Sequence, residues 1–203
     1  MELNTLAIVF FGIGVAYLVA IYFSRRVILG KVQRFLRQDN PQGALDYLDK
    51  PGVRFAMPAY NREHMRLNTF LLMNKTDKVS QCFDTLLTMR TSKSQRRDVV
   101  MRAFQYYMQA ERYKDAKALL GEIKSTLDPA LAAECERTYD IFARKSTSHI
   151  AEMEAEVETA PYARKASIAY LLAASYANAD DEKNSEKWRA YADGLFSNPP
   201  EKK

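Results

Sequence analysis

The chain has 203 residues, 47% hydrophobic and 27% charged, with only seven Gly and seven Pro, which argues against disorder and against a strand-and-turn architecture. Ala, Leu, Lys, Glu, Arg and Met are plentiful, so the expected class is all-α. Most of the net charge of +5 sits near the start: residues 1–38 hold five bases and one acid, leaving 25 bases and 24 acids for residues 39–203, too even a balance for nucleic-acid binding.

The first element is the run Thr5–Ser24, which carries no charge over 20 positions. As a helix it would be about 30 Å long and apolar all round, which predicts a single transmembrane span in contact with the bilayer over residues 5–24. A cleaved leader is not expected, because Glu2 stands where a basic region would be and no small-residue cleavage site precedes the charges. Arg25, Arg26, Lys31, Arg34 and Arg37 follow the run, so the N-terminus is expected outside and the remainder in the cytoplasm, with these five bases contacting lipid head groups. Gly12, Ala16 and Ala20 recur every fourth residue and define a face on which two such helices could pair as a homodimer. The expected division is an anchor with its basic flank over 1–26, a helical domain over 27–195 and a disordered tail over 196–203.

Beyond the run, an aromatic residue recurs with a smaller residue nine places later: Phe35 with Ala44, Phe70 with Val79, Tyr107 with Ala116, Phe142 with Ala151, and Tyr176 with Ser185. Successive aromatics are 35, 37, 35 and 34 residues apart. That period holds a helix, a turn and a second helix, with the small residue letting the two helices approach closely. Turns are expected at Asp39-Asn40-Pro41, Asn74-Lys75-Thr76-Asp77, Ala110-Glu111-Arg112, Lys145-Ser146-Thr147 and Asn178-Ala179-Asp180-Asp181. The segments Pro51-Gly52 to Met57-Pro58, Thr91 to Ser94, Leu127-Asp128-Pro129 and Ala160-Pro161 separate the pairs, with Asp128 and Ser92 or Ser94 as N-caps.

In the third unit, QYYMQAERYKDAKALLGEIKSTLDP, the pattern resembles the tetratricopeptide repeat. Tyr107 matches the late aromatic of the first helix, Tyr113 the turn aromatic, Ala116 the small second-helix residue, Leu120 the large apolar residue after it, and Asp128-Pro129 the closing turn. The other units keep less of it. The resemblance covers about residues 27–195 and implies about five antiparallel helical hairpins in an α-solenoid. The polar last hairpin would serve as a cap, its stripe of Trp188, Tyr191, Ala192 and Leu195 closing the core.

The resemblance also implies a concave face lined by first-helix side chains: Asn61, His64 and Asn68, then Met101, Gln105 and Gln109, then Glu136, Asp140 and Arg144. Such a polar groove suits an extended peptide or a partner helix. Asn68 matches one position of the carboxylate clamp used by chaperone-binding members, but His64 stands where a Lys would be needed, so that clamp is not expected. Catalysis, cofactors and metals are not expected either. Cys82 and Cys135 have no metal-like spacing against His64 and His149, and no phosphate-loop, dinucleotide, zinc-protease or nucleophile-elbow motif occurs. The expected role is a membrane-tethered protein-interaction adaptor or scaffold facing the cytoplasm. The alternative is a chaperone-like module of reversed topology, acting outside the cytoplasm in envelope assembly or secretion.

Overall fold

The computed structural model describes the backbone of residues 2–197, and the side chains of all these except 2–13, 17, 18, 163 and 196. Among the described residues there are eleven α-helices and no strand: α1 Glu2–Arg37, α2 Pro41–Leu48, α3 Pro51–Ala56, α4 Ala59–Leu72, α5 Thr76–Thr88, α6 Lys93–Gln109, α7 Tyr113–Thr126, α8 Pro129–Ala143, α9 Ile150–Thr159, α10 Tyr162–Asn178 and α11 Glu182–Ser197. They fall into two compact units, Met1–Arg96 and Arg97–Lys203.

Five turns that join helix pairs share a left-handed residue. Asp39, Asn74, Glu111, Lys145 and Asp180 each take a left-handed backbone, with φ of 52, 52, 55, 57 and 57°. In four turns the next amide donates to a carbonyl five residues back: Asn40 to Phe35 at 2.9 Å, Lys75 to Phe70 at 3.0 Å, Arg112 to Tyr107 at 2.8 Å and Asp181 to Tyr176 at 3.0 Å. These bonds satisfy carbonyls that a helix C-terminus otherwise leaves bare. Asp and Asn tolerate this conformation because short polar side chains lower its cost. Glu111 and Lys145 lack that advantage.

The fourth turn departs from the others. The carbonyl of Ile141 accepts a hydrogen bond from Asn178 Nδ2 at 2.8 Å, and the Ser146 amide instead donates one residue further back, to Asp140, at 3.0 Å. Here α9 begins five residues after the left-handed residue, whereas the other second helices begin two residues after it. The added residues move the register. Ile141 rather than Phe142 stands at the aromatic position, and Met153 and Val157, not Ala151 and Ala155, are the buried second-helix pair. They correspond to Ala44 and Leu48, Val79 and Phe83, and Ala116 and Leu120, all buried.

Helix starts follow local chemistry. Asn40 caps α2, its side chain accepting from the Gly43 amide at 2.8 Å, and a Cβ on Gly43 would come within 2.7 Å of that side chain. Asp128 caps α8 through the Ala130 amide at 2.9 Å. Ser92 and Gln95 exchange side-chain bonds with each other's amides before α6, a capping box.

In the first unit, Ile28 and Val32 of α1 are buried with Ala44 and Leu48 of α2 and with Val53 and Met57. Pro51–Ala56, expected as a connecting turn, is thus a short helix that contributes to this core. Leu67 of α4 and Val79, Phe83 and Leu86 of α5 are buried as well. In the second unit α10 is the central element, packing against α8, α9 and α11. Its Ile168, Ala169, Leu172 and Ala173 join Ile141, Met153, Val157, Trp188 and Ala192 in one core.

The expected membrane span requires correction. Among the described residues no helix is long and apolar enough to cross a membrane. The helix that carries the expected run, α1, continues unbroken into the folded core through Ile28 and Val32. The single-pass assignment falls with this, as do the placement of the N-terminus outside and the repeats in the cytoplasm, and the reversed topology. Within the expected run, residues 5–13, 17 and 18, including Gly12, lie outside the described side chains. Ala16, Ala20 and the five bases Arg25, Arg26, Lys31, Arg34 and Arg37 are exposed on α1. At the other end α11 extends to Ser197, into the expected tail, and residues 198–203 lie outside the described residues.

Candidate functional site

A hollow of about 420 Å³ lies in the second unit, between α8, α9 and the start of α10. Arg137 of α8 is its central charge. Only 8% of its side chain is exposed, and its Nη1 stands 2.6 Å from Glu156 Oε2 of α9. The other carboxylate oxygen of Glu156 accepts from Arg164 of α10, at 2.7 Å from Nε and 2.6 Å from Nη2. One carboxylate thereby joins three helices. Burial pushes the Glu156 carboxyl up, but the hydrogen bonds and charges of Arg137 and Arg164 outweigh it and hold the group below its ordinary value. Arg137 Nε is also buried and has no acceptor among the described residues.

The remaining charges surround this core. Asp140 pairs with Arg144 at 2.6 Å, and His149 Nε2 lies 3.3 Å from the other Asp140 oxygen. His149 Nδ1 is 3.9 Å from Glu152. Glu136 takes Lys124 Nζ of α7 at 2.7 Å. Among the described residues, the cation that Glu134 faces is the distant guanidinium of Arg164, at 4.0 Å.

Glu134 also lines a second hollow of about 330 Å³, between α6 and α8, made by Met101, Phe104, Gln105, Met108, Leu131, Cys135 and Thr138. Cys135 donates to Met101 Sδ at 3.7 Å, and burial pushes its thiol up to about 11. In the first unit burial, aided by a hydrogen bond with Glu63, pushes the Cys82 thiol up to about 12. Both cysteines are free and buried.

The expected groove residues are therefore distributed. Glu136 and Asp140 line the larger hollow, with Arg144 paired beside it, and Met101 and Gln105 line the smaller one. Gln109 is exposed in the last turn of α6 and lines neither. Asn61, His64 and Asn68 belong to α4 of the first unit, where they are half-buried and His64 stacks on Tyr60 with ring centroids 5.9 Å apart.

Sequence reasoning did not single out Arg137, Glu134, Glu152, Glu156 or Arg164. A four-residue spacing selects the stripe of Glu136, Asp140 and Arg144, and Arg137 falls one step off it. The fourfold repetition of acids in α9, at Glu152, Glu154, Glu156 and Glu158, is a usable signal once Met153 and Val157 are known to face the core.

No protein-family model matches the chain, and neither a curated protein nor a solved structure matches it.

Proposed function

We propose that the chain is a tetratricopeptide-like protein-interaction module, an adaptor or scaffold that binds an extended segment of a partner along α6 and α8. The observation that carries this reading is the pair of hollows sharing Glu134. One has an apolar, methionine-rich lining, and flexible thioethers adapt to varied side chains. The other is rich in carboxylates, of which Glu134 and Glu152 have, among the described residues, only distant cationic partners. A segment carrying an apolar side chain next to Lys or Arg fits both. The remaining titratable groups of the larger hollow are held in ion pairs, which favours binding over catalysis.

Selection of displayed random peptides on the full chain tests this. The reading expects peptides with an apolar residue beside a basic one, whose binding is lost in Gln105→Ala/Glu134→Lys while the melting temperature holds. Selected peptides that bind this variant as well as the parent would remove the groove assignment.

A further inference from the structure

We propose that a hollow between α1 and the end of α2, in the first unit, binds a phosphate-bearing anion, either free or as the head group of a lipid. Its volume is about 200 Å³, and among the described residues it is lined by Lys31, Arg34, Phe35, Tyr47 and Lys50, three cations and two aromatic rings with no carboxylate. The ammonium groups of Lys31 and Lys50 lie over the same ring, 5.5 and 5.8 Å from the Tyr47 centroid. Tyr47 in turn leans against Phe35, centroid to centroid 6.0 Å.

Lys31, Arg34 and Lys50 bring three like charges to one hollow, and the face of a tyrosine offsets only part of the cost of gathering them. Nearby acids do not relieve it. Asp46 accepts from Gln42 Nε2 at 2.8 Å, and Asp49 pairs with Arg66. Among the described residues none of the three cations is paired with a carboxylate. An anion seated in the hollow offsets this like charge and gains charge-assisted hydrogen bonds. Two ammonium point charges and one planar guanidinium suit a multiply charged phosphate, whose several oxygens can meet all three, better than a single carboxylate.

This site lies outside α6 and α8 and does not depend on the peptide-binding reading. It is tested on the full chain by calorimetric titration with pyrophosphate and by flotation with phosphatidylcholine vesicles containing phosphatidic acid. The variants are Lys31→Gln/Lys50→Gln and a control of equal charge loss, Lys114→Gln/Lys117→Gln, all four positions being exposed. Pyrophosphate affinity is expected to fall at least about tenfold in the first variant and to hold in the control. Silence with pyrophosphate, but vesicle capture that needs Lys31 and Lys50, supports the site and makes the lipid head group the source. Equal losses in the two variants, retention by the first, or no binding of either probe overturns the proposal.

Discussion

Arg137 and Glu156 form a buried ion pair, Nη1 to Oε2 at 2.6 Å, in which the arginine is 8% exposed and the carboxylate 25%. Breaking such a pair from one side leaves an uncompensated charge in a poorly solvated place. Glu156→Ala is therefore expected to lower stability by about 3 kcal/mol. Arg137→Met/Glu156→Ala should recover most of that loss, because the stranded charge is gone. Urea unfolding of the three proteins checks this, and a double variant no more stable than Glu156→Ala would show that charge burial is not the cause.

The same carboxylate makes stability depend on pH. Its folded value lies below the ordinary 4.5, so its ionised form is favoured in the folded state. The contribution is complete above about pH 4.5 and is lost as pH falls through the lower folded value. Unfolding midpoints measured from pH 6 down to about pH 3 should fall less steeply for Glu156→Gln than for the parent. Identical slopes would count against the assignment.

The turn residue Glu111 holds a φ of 55° without the tolerance of Asn or Gly. Glu111→Gly should relieve strain of about 1 kcal/mol, a gain partly offset by the greater freedom of glycine in the unfolded chain. A small rise in melting temperature is expected, and Asn74→Gly, at a site already suited to its residue, should change it less. The opposite ranking in a thermal scan would refute the strain argument.

The shifted register of α9 has its own test. Met153→Ala should cost about 2–5 kcal/mol by opening a cavity among Ile141, Val157 and Leu172. Ala151→Ser, on the exposed side, should be nearly neutral. The reverse order would restore Ala151 as the core residue.

The helical plan is legible because helix and turn preferences act over a few residues. Asn40-Pro41, Asn74 and Asp128-Pro129 carry their own instructions, since an Asx side chain can cap an amide and a proline suits the first helical turn. Glu111 carries no such signal. Its turn forms because the packed helices on either side leave it no other path, with Tyr107 and Ala116 both buried. The candidate site is legible where it follows helical spacing, as at Glu136 and Asp140. Its center is not, since Arg137 acquires its role only when α9 and α10 deliver Glu156 and Arg164.

What the sequence determined by itself is the helical class, the period of about 35 residues and the positions of most turns, all set by short-range preferences. Tertiary structure decided the rest. Asn178 takes the Ile141 carbonyl from 37 residues away, at the turn where the fourth repeat changes register. Hydropathy counts the charge-free run Thr5–Ser24 as a span, whereas the folded chain carries the same helix on to bury Ile28 and Val32. A hydrogen-bond donor or a buried methyl group contributes only where a distant partner comes to meet it, and no local pattern records that meeting.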